Sequence, residues 1–127
     1  MTATQEQELK SAWIKEMDNK KYLGQIITVK MDRQLGTRHP KWGYVYETNY
    51  GFIPDTISGD GEELDAYVLG VDMPMDIFTG KCVAIMHRTD DDDDKLIVIP
   101  ENIQITDKEI DEQTKYQEKW FKYIIIR

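Results

Sequence analysis

The apolar residues of this chain come in short β-branched and aromatic runs, and clusters of Gly, Pro, Asp or Asn separate those runs. A stretch of about four to eight such residues between turn signals is long enough for a strand and too short for a buried helix, so the spacing points to a mainly β architecture. Residues 25–31 alternate with β-branched side chains and read as a strand, residues 44–53 are aromatic-rich and extended, and residues 64–71, 83–86 and 96–99 read as further short strands. The closing Tyr-Ile-Ile-Ile at 123–126 is strongly β-forming and reads as an edge strand. Two segments carry a helical pattern instead. Across residues 4–22, Leu9, Trp13 and Met17 recur every four residues among charged neighbours, ahead of a stop at Gly24. Thr106 followed by Glu109 is a capping-box signature, in which each side chain accepts from an otherwise unpaired amide, and it predicts a helix over 107–122. Short strands with a helix toward each end predict an α+β fold, mainly β: a small twisted sheet or barrel with helices on its outside.

A chain of 127 residues has room for one core, so residues 1–127 are read as a single domain with residues 1–24 as a helical N-terminal extension. Its formal charge of −8 argues against a nucleic-acid partner, because binding through phosphates needs clustered positive charge. No apolar run approaches the roughly 20 residues that span a bilayer. The first residues mix Gln, Glu and Lys and lack a secretory signal's apolar stretch. With one cysteine, Cys82, no intramolecular disulfide is available, and the cytoplasm is the expected location.

Three stretches carry the chemistry. Asp60, Glu62 and Asp65 straddle a junction of turn and strand, where a loop can curl several oxygens around one point, as a hard cation such as Mg²⁺ requires. With Leu64 facing inward, Glu63 and Asp65 point to the opposite face. A second acidic run, Asp90 to Asp94, precedes Lys95 at the tip of an expected hairpin, and carboxylates this dense oppose one another's ionisation unless a cation lies among them. The plain alternative for both stretches is a solvated acidic turn. The third ingredient is basic and aromatic: Arg38, His39 and Lys41, then Tyr46 and Tyr50, with Lys95 and Lys122 later, a set suited to holding a phosphate whose charge is shared with a metal. Ordinary surface charge is the competing reading for each basic residue taken alone.

Asn49-Tyr50-Gly51-Phe52-Ile53-Pro54-Asp55-Thr56, then Asp60-Gly61-Glu62-Glu63-Leu64-Asp65, then Lys95-Leu96-Ile97-Val98-Ile99-Pro100 resemble successive blocks of the soluble family-one inorganic pyrophosphatases. The resemblance covers mainly residues 25–100, with a weaker echo at 116–122. It implies a small distorted five-stranded, OB-like barrel with flanking N-terminal and C-terminal helices, and Mg²⁺-dependent hydrolysis of pyrophosphate to two phosphates by a homo-oligomer. It implies metal ligation by Asp60, Asp65 and Asp32, and by members of the acidic run: Asp90 or Asp91 as the first of a pair, Asp93 or Asp94 as the second. By the same resemblance Lys95 and Lys41 contact phosphate. Tyr46 and Tyr50 match two active-site tyrosines, and Arg38 matches the family's phosphate-binding arginine only in the alignment that leaves Lys41 unmatched.

The chain departs from the family at three places. Glu62 stands where an aspartate helps to activate the attacking water, which preserves acid strength and moves the carboxylate by one methylene. Gly43 stands where a glutamate follows the lysine, and Trp120-Phe121-Lys122 stands where a tyrosine and a lysine are expected. The resulting expectation is metal-assisted hydrolysis of a phosphoanhydride with Glu62 taking the water's proton. Two rivals are a hydrolase for another phosphoanhydride on the same scaffold and a catalytically weak metal- and phosphate-binding module.

Overall fold

The computed structural model describes residues 19–56, 63–91 and 93–127. These form β1 (Ile26–Arg33), β2 (Asn49–Ile53), β3 (Leu64–Val68), β4 (Ile77–Arg88), β5 (Asp94–Ile99), the helix α1 (Asp107–Glu118) and β6 (Tyr123–Ile126). The expected helix over 4–22 lies almost wholly outside the described residues; Asn19 and Lys20 are helical. Hydrogen bonding runs in the order β1-β2-β3-β5-β4, and β1 also pairs with β4, which closes five strands into a barrel. β6 joins the half of the β4 edge that β1 leaves open, with Ile126 opposite Ile85 and Tyr123 opposite Arg88.

Alternation along the strands sorts side chains into two cores. Ile27 and Val29 of β1, Ile53 of β2, Leu64, Ala66 and Val68 of β3, Cys82 and Ile85 of β4, and Leu96 and Val98 of β5 form one cluster, to which every barrel strand contributes. The opposite parity presents Tyr50, Tyr67, Ala84, Met86, Ile97 and Ile99 to Ile110 and Tyr116 of α1. A bulge between Cys82 and Ala84 shifts the phase of β4, so Cys82 shares a face with Ile85 and not with Ala84.

α1 starts as its cap predicts: Thr106 Oγ1 accepts from the Glu109 amide at 3.2 Å, and the Thr106 amide donates to Glu109 Oε1 at 3.1 Å. It stops at Glu118, short of the expected 122, because the Phe121 amide turns back to the Glu118 carbonyl at 2.9 Å and delivers the chain into β6. β4 runs to 12 residues although only 83–86 carries a clear apolar signal. Its first half, with Thr79, Gly80 and Lys81, is held by the β1 ladder. No helix among the described residues is long and apolar enough to cross a membrane.

Candidate active site

The site begins at Asn49-Tyr50-Gly51, where each residue has a separate task. Asn49 is fully buried; its Oδ1 accepts from the Leu35 amide at 3.0 Å and the Met75 amide at 3.1 Å, while its Nδ2 donates to the Met73 carbonyl at 2.8 Å. One amide side chain thereby ties the loops after β1 and before β4 to the start of β2. A Cβ at Gly51 would run into the Lys30 carbonyl and come 2.7 Å from the Met31 Cα, so only glycine lets β1 cross here. Between them Tyr50 projects from the outer face of the barrel.

Parallel pairing of β3 with β5 sets Lys95 beside Asp65 on that face. The Lys95 ammonium, nearly excluded from solvent, donates to Asp65 Oδ2 at 2.9 Å, Asp93 Oδ2 at 3.0 Å and the Tyr50 hydroxyl at 2.8 Å. Tyr50 in turn donates to Asp65 Oδ2 at 2.8 Å. Burial first, and then the Asp65 carboxylate, push the Tyr50 phenol well above its usual range, so it stays protonated as a fixed donor.

Arg88, at the end of β4, supplies a second cation. Its Nε and Nη2 donate to Glu118 Oε1 and Oε2 at 2.8 and 2.7 Å, and its Nη1 reaches Asp91 Oδ2 at 3.2 Å and Asp93 Oδ2 at 4.0 Å. Burial alone would lower the pKa of this guanidinium; the hydrogen bonds and charge of Glu118 outweigh that and raise it. Glu118 Oε2 also accepts from the Tyr67 hydroxyl at 2.6 Å, and Gln117 bridges Tyr67 and Tyr44 at 2.7 Å each. Reading along the sequence singled out neither Arg88 nor Glu118. The signal for Glu118 is its spacing: Ile110, Thr114 and Glu118 recur every four residues, the buried stripe of α1.

Tyr50, Asp65, Arg88, Asp93, Lys95 and Gln117 line a cleft of about 710 Å³, together with His39, Trp42, Tyr44, Tyr46, Lys119, Trp120 and Phe121. Lys95 and Arg88 are already engaged by four carboxylates, those of Asp65 and Asp93 in the cleft wall and of Asp91 and Glu118 as further partners of Arg88, and the exposed Lys119 is the third cation of the lining. A polyanionic ligand entering such a cleft needs further positive charge, and all-oxygen donors suit a hard divalent cation. Among the described residues no three His, Cys, Asp or Glu side chains already converge as a complete ligand set.

The remaining sequence candidates separate. Asp60 and Glu62 lie outside the described residues. Asp32 sits at a bulge in β1, between Met31 and Arg33, and not in the turn expected after the strand. Its carboxyl is held above the ordinary range, by desolvation on its protein side first and also by the charges of Asp65 and Glu63, against the lowering pull of Arg33. Asp32 therefore shares a field with Asp65 although it is open to water. Asp94 belongs to the other face of β5: its Oδ1 pairs with His87 Nδ1 at 2.6 Å, and its Oδ2 accepts from Asn19 Nδ2. Strand alternation separates it from Lys95, and among the described residues of the run Asp93 is the one that lines the cleft.

Asp90 accepts from the Lys122 backbone amide at 3.1 Å, while Asp91 accepts from Arg88 and from the Asp93 amide at 3.3 Å. Arg38, Lys41 and Lys122 are exposed and do not line the cleft. The Arg38 guanidinium donates to the Gly43 carbonyl at 3.1 Å, and the Lys41 ammonium lies 4.7 Å from the Trp42 ring centroid. Tyr46 is buried within the cleft wall, and desolvation raises its phenol pKa.

The sequence profile of the family described as inorganic pyrophosphatase matches residues 7–125. The inorganic pyrophosphatase of Saccharolobus solfataricus is 37% identical over 78 residues, which cover 58% of this chain and 42% of that protein. That of Pseudomonas aeruginosa is 35% identical over 74 residues, covering 54% and 42%. The matched stretch thus spans less than half the length of these relatives. Among solved structures, the inorganic pyrophosphatase of Ehrlichia chaffeensis superposes with a TM-score of 0.61 at 16% identity, covering 80% of this chain and 84% of that one. The Helicobacter pylori inorganic pyrophosphatase superposes with a TM-score of 0.58 at 20% identity, covering 75% of each chain. At these identities the superpositions speak to the barrel alone.

Proposed function

This chain belongs to the inorganic pyrophosphatase family, and from that premise we propose that its cleft hydrolyses inorganic pyrophosphate to two phosphates with Mg²⁺ as the working ion. The observation that carries the reading is the Lys95 ammonium at the cleft wall, held in place by Asp65, Asp93 and Tyr50. Lys95 and Arg88 neutralise phosphate oxygens, and because their own partners already fix them, little reorganisation accompanies the reaction. Tyr50, kept protonated, donates to a phosphate oxygen. Asp65 and Asp93, with Asp32 nearby and Asp60 by resemblance, would hold the ion, which when bound supplies Lewis-acid polarisation and a water of lowered pKa. Glu62, again by resemblance, accepts the proton of the attacking water. A homo-oligomeric assembly in the cytoplasm belongs to the same proposal.

The experiment is phosphate release from pyrophosphate with and without Mg²⁺. Release that depends on the ion supports the reading; no release over a range of pH and divalent ions overturns it. Glu62→Asp refines the result, because a rate increase on restoring the shorter carboxylate identifies residue 62 as a working but displaced base.

A further inference from the structure

The cleft contains more aromatic surface than an inorganic anion can use. From the Lys95 ammonium, 5.4 Å from the Tyr50 ring centroid, ring follows ring: Tyr50 to Tyr46 at 5.8 Å, Tyr46 to Tyr44 at 5.6 Å, and Tyr44 to Trp120 at 5.4 Å. A branch runs from Tyr44 to His39 at 5.0 Å and on to Trp42 at 6.4 Å. The band ends in two indoles that remain largely open to water, Trp42 at 67% and Trp120 at 58% exposure. Each carries a lysine over its face, Lys41 and Lys119, both 4.7 Å from the ring centroid. Aromatic faces bear negative charge and disfavour phosphate oxygens, whereas they stack well on planar π-systems. The charged end of the cleft suits phosphate, and the aromatic end needs a different chemical group.

We infer that the cleft takes a phosphoanhydride carrying an aromatic base, a nucleoside di- or triphosphate, with its terminal phosphate at Lys95 and Arg88 and its base against Trp42 and Trp120. The inference rests on the hydrolase reading for its chemistry and extends the substrate from the inorganic anion to the nucleotide. In the step, the water oxygen bonds to the terminal phosphorus. The bridging P–O bond breaks, and its electron pair stays on the oxygen kept by the shortened nucleotide. Of the water's two protons, one remains on the released inorganic phosphate and the other passes to solvent. Lys41 and Lys119 at the rim complement the ligand's negative charge as it enters. Stacking tolerates any base, so the site distinguishes nucleotide from pyrophosphate more than one base from another.

The test measures two ratios on the full chain in Mg²⁺, for the wild type and for the double variant Trp42→Ala/Trp120→Ala. One is the kcat/KM for a nucleoside diphosphate over that for pyrophosphate; the other is the calorimetric affinity for the same two ligands. The expected result is that both ratios fall by about ten-fold or more in the variant, in keeping with the loss of one to two base–ring stacks. Ratios that do not change overturn the inference and leave the pyrophosphatase reading standing. If neither substrate is hydrolysed by the wild type, the hydrolase reading falls and the affinity ratio alone decides this one. A single conservative variant, Trp120→Phe, keeps a stacking face and is expected to retain most of the nucleotide preference; if it loses as much as the double alanine variant, stacking is not the cause and the inference fails.

Discussion

Arg88 grips Glu118 through two parallel hydrogen bonds, Nε to Oε1 at 2.8 Å and Nη2 to Oε2 at 2.7 Å, with its guanidinium carbon 3.6 Å from the Phe121 ring centroid. Both side chains are nearly sealed from water, and the pair joins the end of β4 to the last turn of α1. The guanidinium in the cleft wall is thus that of Arg88, on β4, whereas Arg38, on the loop after β1, is exposed and lies outside the lining.

Breaking that pair from one side strands a buried charge. Glu118→Ala is expected to destabilise the fold by about 3–5 kcal/mol, read from urea unfolding. Replacing both partners together, Arg88→Met with Glu118→Leu, is expected to cost far less than the sum of the single changes. Additive losses would show that the two groups do not act as a unit.

Lys95→Met removes the ammonium that Asp65, Asp93 and Tyr50 share. The expected loss in kcat/KM on pyrophosphate is about 100-fold or more, the scale of removing a fixed electrostatic partner of a transition state. Lys95→Arg is not expected to restore the rate, since a planar guanidinium cannot occupy a site shaped for a compact ammonium. Wild-type turnover in Lys95→Met would remove this residue from the mechanism.

Stability is expected to fall at alkaline pH, starting with Cys82. Burial raises its thiol from 9.0 to about 11, so its contribution is complete below pH 9.0 and is lost as pH rises through about 11. The unfolded chain releases this proton first, which makes the sign negative. Tyr50, Tyr67, Tyr46 and Tyr116, all raised by burial, extend the loss above the ordinary phenol value of 10.0. Each group steepens the decline by about 1.4 kcal/mol per pH unit within its window. Denaturation midpoints across this range test the slope, and Cys82→Ala is expected to flatten its first part.

Gly51→Ala places a methyl against the Lys30 carbonyl and is expected to cost about 1–3 kcal/mol. It should also weaken catalysis, because the β2 backbone that must yield carries Tyr50. Unfolding melts and kcat on pyrophosphate, measured on the same preparation, separate the two effects.

How far the sequence reached depended on the range of the interaction. The capping box at Thr106 and Glu109 was legible because its partners are three residues apart, and the closing strand at 123–126 because its composition permits little else. The extent of β4 was not legible, since Thr79, Gly80 and Lys81 owe their place to a partner strand some fifty residues earlier. Within the acidic run, composition treats the aspartates alike. Parity with Lys95 separates them, and that parity is set by the register of β5 against β3 and β4. The spacing of Ile110, Thr114 and Glu118 marks Glu118 as buried but does not name its partner, and Arg88 has no local signal, because an ion pair between distant elements leaves none.

β6 also acts as a seal. The barrel leaves half of one β4 margin without a neighbour, and Tyr123–Ile126 fills it beside the strand end that bears Arg88. A chain cut before Tyr123 would present that bare row of amides and carbonyls to any strand in solution. Self-association at this margin, with the guanidinium wall loosened at the same stroke, is the characteristic damage to look for in such a fragment.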